Sequence, residues 1–190
     1  PYSPSRLYEI IEQSNMLRQC IDAFVVNTVR TGWEVAPTSR GRKVDLSEQA
    51  ELESFIEHAN SEESLADVLE KAIRDRESVG FGFTEIIRDR AGAVSLLRHC
   101  PALYTRLCAK DPTEILVEYA IQRGRRVSSV REYRRFRRFV QIMNGQQVWF
   151  KEFGDPRKMD YRNGAFEGQS GFEAGHEATE IMHFKNPSTE

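Results

Sequence analysis

Cysteine is scarce here: Cys20, Cys100 and Cys108 are the three in 190 residues. An odd, scattered count with no CxxC pair cannot staple a disulfide framework, and each cysteine lies in an apolar stretch. Buried thiols in a reducing compartment are therefore expected, with a Cys100–Cys108 bridge the one pairing left open. Long apolar runs are also missing. None approaches the ~18 residues needed to span a bilayer, and no signal peptide is visible, so a soluble chain without a membrane partner is expected. A charge excess is lacking too: 27 Lys and Arg against 29 Asp and Glu leave a net charge of −2. Nothing pulls the whole chain toward a polyanion.

The usual marks of catalysis are equally thin. There is no GxSxG elbow and no HExxH, and no Ser or Cys has a recognisable base nearby. Gly80-Phe81-Gly82 resembles the start of a phosphate loop, but Phe83 to Ile87 continues as strand. The helix that would receive a phosphate is therefore missing. His176 and His183 stand seven apart with Glu177 and Glu180 between them. Zinc needs three or four converging ligands, and His183 is expected to pack within a strand instead. No catalytic residue, no metal site and no cofactor is expected, and the protein is not expected to be an enzyme.

What is present is a segregated pattern. Ser3-Pro4-Ser5 opens a helix whose apolar residues run from Leu7 through Val25 toward Gly32. Trp33 to Ala36 reads as a short strand, and Thr38 to Lys43 as a loop. Asp45 and Glu48 have capping-box spacing ahead of a second helix bearing Leu52, Phe55 and Ile56. A third helix carries Leu65, Val68, Leu69, Ala72 and Ile73 and stops at Gly80.

Period two then takes over. Strands are predicted at Phe81 to Ile87, Val94 to His99, Tyr104 to Cys108, Thr113 to Ile121, Tyr133 to Ile142, Gln147 to Phe153 and Thr179 to Phe184. Asp89-Arg90-Ala91-Gly92 and Asn144-Gly145 are the hairpin signals. Gly82 suggests close backbone approach, and 154–175 should be a long loop. Helices over about 1–79 followed by a mostly antiparallel sheet over about 80–190 make an α+β fold, expected as a single domain.

Charge is unevenly spread. Acids prevail from Glu48 to Glu77. Bases prevail from Arg123 to Arg138, against Glu132 alone. In Tyr133-Arg134-Arg135-Phe136-Arg137-Arg138-Phe139, arginines alternate with aromatics, as phosphate contact with base stacking would use. Read as one strand, it puts Arg134, Phe136, Arg138 and Val140 on one face and Arg135, Arg137 and Phe139 on the other. Arg131, Arg134, Arg135, Arg137 and Arg138 are the candidate residues for a subunit interface or a DNA-facing surface. Arginine on both faces favours ion pairs within or between subunits over a dedicated nucleic-acid module.

Several motifs together resemble the wing region of tailed-phage portal proteins, of the PBSX type. They are Ser3-Pro4-Ser5-Arg6-Leu7, Phe81-Gly82-Phe83-Thr84-Glu85-Ile86 and His99-Cys100-Pro101-Ala102, then Trp149-Phe150-Lys151-Glu152-Phe153-Gly154-Asp155-Pro156-Arg157 and Thr179-Glu180-Ile181-Met182-His183-Phe184-Lys185. The last two are the most specific. The resemblance implies a homo-oligomeric ring, usually a dodecamer, at one vertex of the virion capsid, assembled in the bacterial cytoplasm or as a prophage product. It implies terminase, capsid, scaffold and head–tail connector proteins as partners, and double-stranded DNA passing through the ring. It further implies no catalytic residue and no cofactor in this chain. The stem, clip and tunnel-lining helix would lie beyond Glu190. The absence of an initiator Met and the Asn186-Pro187-Ser188-Thr189-Glu190 ending fit a piece of a longer protein.

Overall fold

The computed structural model describes residues 3–37, 45–123 and 126–185, without the side chains of 122, 123, 126 and 127. The fold is α+β, with helices first and strands after. The described residues form two compact units: 3–36, 45–105 and 181–185 make one, and 37 with 106–180 the other.

In the first unit, helix α1 (Pro4–Gln13) and helix α2 (Asn15–Val29) replace the single helix predicted up to Gly32. The break is at Ser14. Its backbone is extended and its hydroxyl accepts from the Leu17 amide at 3.4 Å, so a serine in a polar stretch starts a new helix rather than continuing the old one. Trp33 to Ala36 is not a strand, and the loop predicted over 38–43 lies outside the described residues.

Helix α3 (Leu46–Glu57) starts where predicted, with the Asp45 carboxylate accepting from the Ser47 and Glu48 amides. It has no buried residue. Helix α4 (Leu65–Val79) opens with a full capping box between Ser64 and Asp67, buries Val68, Ala72 and Val79, and ends at a left-handed Gly80. Ile11, Ile21 and Val25 pack with Ile73 against this helix.

Strand β1 (Phe81–Arg88) pairs antiparallel with β2 (Val94–Cys100) across the predicted turn. Strand β8 (Glu180–Lys185) flanks β1 on its other side, so that Phe83 stacks on His183 with ring centres 5.2 Å apart. Gly82 is where α4 meets β1: a Cβ there would lie 2.0 Å from the Ala72 carbonyl oxygen. Only glycine allows that approach.

In the second unit, β3 (Thr105–Lys110), β6 (Arg137–Met143) and β7 (Gln146–Glu152) lie in the order β7-β6-β3. Strands β6 and β7 join at Asn144 (φ 51°) and Gly145 (φ 77°), the two left-handed residues of a tight hairpin turn. Strand β4 (Ile115–Arg123) pairs with β5 (Arg126–Arg134) as a separate two-stranded ribbon. No strand was expected over 126–132.

The predicted strand from Tyr133 to Ile142 is in fact the end of β5 and all of β6 but its last residue. They are separated by Arg135 and Phe136, where Phe136 is fully buried and its carbonyl accepts from the Asp111 amide at 2.8 Å. The alternating faces expected across 134–140 therefore do not exist. The loop over 154–175 is irregular, as predicted, yet it is not a surface tether. Met159 and Phe166 are buried there with Ala178 and the half-buried Trp149.

Candidate functional site

The arginine-bearing segment divides by burial. Arg137 and Arg138 are half-buried and built into the second unit. The Arg137 amide donates to the Glu152 carboxylate at 2.6 Å, and its guanidinium to the Cys108 carbonyl at 3.3 Å. Arg138 donates to the Gly164 carbonyl at 3.0 Å and lies over the Trp149 and Phe166 rings, at 5.8 Å and 5.6 Å.

Arg131, Arg134 and Arg135 are exposed, but each has an acid beside it. Arg131 pairs with Glu118 at 3.1 Å, Arg134 with Glu132 at 3.8 Å and Arg135 with Glu114 at 2.9 Å. Hydrogen bonds from Ser129 and Arg131 pull the Glu118 carboxyl below its ordinary pKa, so it stays ionised and screens the arginine. These three exposed arginines are therefore locally neutralised; the side chains of Arg123, Arg125 and Arg126 lie outside the described residues.

The two most specific sequence motifs meet in a buried polar knot of the second unit. Lys151 takes three partners: its Nζ donates to the carbonyls of Asp155 (2.9 Å) and Arg157 (3.2 Å) and lies 3.6 Å from the Glu180 carboxylate. Its amide donates to the Thr179 carbonyl at 3.1 Å, which ties the 151–157 motif to the start of the 179–185 motif.

Arg157 forks onto the buried Asp155, reaches Asp111 at 3.2 Å, and lies 3.7 Å above the Phe166 ring. Burial resists ionisation of Asp111, but hydrogen bonds from Thr113 and the Arg157 charge win, and its pKa falls. Arg157 is held correspondingly high: burial lowers its pKa, while Asp155 and Asp111 more than offset this. Nearby, Arg162 grips the fully buried Asp160 with a fork to both carboxylate oxygens, which lowers the Asp160 pKa to about 2. These charges are satisfied by one another. The knot supports structure, which sequence reading could not distinguish from function without knowing the partners.

In the first unit a second buried network centres on Asp75. Tyr8 Oη donates to it at 2.6 Å, the Ala102 amide at 2.8 Å, and His99 Nε2 lies 2.9 Å away. Burial, then the Asp75 hydrogen bond, drives the Tyr8 pKa well above its usual value, so its proton stays on the phenol. This network joins α1, α4 and the turn after β2, and nothing in the sequence spacing announced it.

The histidines take separate roles. His176 sits beside Tyr161 with rings 5.8 Å apart, and His183 stacks on Phe83. Among the described residues, no group of three or more His, Cys, Asp or Glu side chains is placed to hold a metal ion. None of the three cysteines is in a disulfide. Cys100 is buried, which pushes its thiol up to about 11, and Cys108 is half-buried. Cys20 corrects the expectation of buried thiols: it is on the outer side of α2, exposed.

No known family profile matches the chain. Over 195 aligned residues it is 35% identical to the phage-like element PBSX protein XkdE of Bacillus subtilis (strain 168), covering 97% of this chain and 39% of that protein. The chain has a phage-element homologue. It is also 32% identical to the uncharacterized protein YqbA of the same organism, over 97% of this chain and 38% of the relative. The chain thus spans about two fifths of the length of the curated relatives it matches. Among the described residues, no helix is long and apolar enough to cross a membrane.

Proposed function

We propose that this chain is part of a phage portal subunit, one of the copies that close into a ring at a capsid vertex for DNA packaging, ejection and head–tail joining. The observation that carries the reading is the similarity to a phage-element protein over 97% of the chain. The portal-like motifs of the sequence lie along that same length. Their residues form the chain's internal ties, as expected for a scaffold repeated around a ring. In this reading the protein is structural rather than catalytic. Its partners are further copies of itself, terminase, capsid, scaffold and connector proteins, and the DNA passing through the assembly.

The basic segment gives the nucleic-acid alternative little support. Phosphate binding draws on unneutralised cations, and Arg131, Arg134 and Arg135 each sit beside a glutamate. Residues for an interface test must come from this exposed group. Reversing the charge of Arg137 or Arg138 would break half-buried contacts and confound assembly with folding. Negative-stain imaging of the full-length gene product tests the proposal. Closed rings with a central channel are expected; a homogeneous monomer at every concentration would defeat it.

A further inference from the structure

From 5 to 31 the sequence holds neither proline nor glycine. Its apolar spacing also runs on without a pause: Ile10, Leu17 and Phe24 stand seven apart, one helical face carried across Ser14. Sharp helix breaks are usually made by proline, by glycine or by a group inserted into the backbone ladder. Here the chain bends at a single residue, Ser14, with φ −112° and ψ 97°. The local device at the bend is a serine cap at 3.4 Å.

The bend is held from outside the helix. Tyr8 of α1 donates to the buried Asp75 of α4 at 2.6 Å. Ile11, the one buried residue of α1, packs with Ile21, Val25 and Ile73. In a continuous helix Ile11 would instead lie about 15 Å along the axis from Ile21. Against these contacts stands a backbone cost. The first amides of a helix have no carbonyl of their own helix to donate to, and in α2 they belong to Asn15, Met16 and Leu17. A continuous helix would pair them with the carbonyls of Ile11, Glu12 and Gln13. In the bent chain the Ile11 carbonyl accepts from the Ser14 amide at 3.2 Å.

We infer that α1 is a hinged arm with two positions: the bent one, latched by Tyr8 on Asp75, and a straight one in which residues 4–29 form a single helix. The bent state keeps the latch and the burial of Ile11. The straight state keeps the backbone hydrogen bonds that close the break. Straightening swings α1 off α4 and carries its tip about 15 Å beyond Ser14. Asp75 then still has His99 at 2.9 Å and the Ala102 amide at 2.8 Å. The hub survives the release and can receive the arm again.

Hydrogen exchange, read by mass spectrometry on the full-length gene product, tests this at the Met16 and Leu17 amides. Tyr8→Ala/Ser14→Ala removes the latch and the cap and puts the best helix former at the break. Exchange at Met16 and Leu17 should slow at least about tenfold against the parent, while unchanged protection of α4 shows that the fold is intact. Adding Asn15→Pro should abolish the slowing. Proline suits the first position of α2 and follows an extended residue, as Ser14 is, but it cannot stand inside a continuous helix. Asn15→Pro alone should therefore leave the parent's melting temperature unchanged.

A latch with no straight state behind it gives the opposite result: α1 frays, and exchange through Met16 and Leu17 stays the same or quickens. That outcome, or slowing that persists with Asn15→Pro in place, would overturn the hinge. If α4 loses its protection in the double variant, Ser14→Ala with the latch intact decides by the same readout. Slower exchange at Met16 and Leu17 supports the hinge, and unchanged or faster exchange overturns it.

Discussion

At the residue scale, buried charges decide the second unit. Asp160 is fully buried and holds a pKa near 2, against an ordinary value of 3.8. A folded-state pKa below the unfolded one adds stability that is present above the unfolded value and lost as pH falls through the folded one. Asp111, Glu118 and Glu173 are lowered too, so they act in the same direction. Stability should therefore drop between about pH 4 and pH 2, and Asp160→Asn should flatten that drop. Urea midpoints measured across this range check it, and an unchanged acid limb in the variant would contradict the assignment. Asp75 in the first unit makes a parallel case. Asp75→Ala leaves Tyr8 and the Ala102 amide without their acceptor, at a cost of about 2–4 kcal/mol. Tyr8→Phe removes one hydrogen bond and should cost only about 1 kcal/mol. Equal losses in the two variants would show that Asp75 is not the hub.

At the element scale, the tightest joint is between α4 and β1. Gly82→Ala drives a methyl group into the Ala72 carbonyl, where backbone must move. It should cost at least the ~1–3 kcal/mol typical of overpacking, read as a lower denaturant midpoint; a neutral effect would mean that the helix shifts freely. This joint was legible in the sequence, because a glycine inside a strand pattern signals close approach. So were the helix end at Gly80 and the Asn144-Gly145 hairpin, where local chemistry alone dictates the geometry.

What escaped has physical reasons. The apolar spacing of Leu7 to Val25 continues across Ser14, so periodicity hid a break made by one hydroxyl. Strand β5 carries charged and polar residues in a ribbon that pairs with no further strand among the described residues, so it lacks the one-faced alternation that marks a strand. Arg135 and Phe136 continue a β-like sequence, yet neither belongs to a strand, and Phe136 is fully buried. For Arg131 and Arg135, sequence could show the charge but not its neutralisation, because Glu118 and Glu114 come beside them only through the pairing of β4 with β5.

At the scale of the whole molecule, we propose a subunit that works by assembling. Its buried ion pairs close on themselves, while α3 carries four glutamates and no base, and Leu116 and Tyr133 stay exposed on the β4–β5 ribbon. The similarity to a phage-element protein over nearly the full chain gives that pattern a setting, and the portal-like motifs give the proposal its form. The most direct measurement is negative-stain electron microscopy of the full-length gene product, purified without DNA or partner proteins. The account predicts closed rings of identical subunits around a central channel. Monomers alone, or open filaments with no closed ring at any concentration or salt, would contradict it.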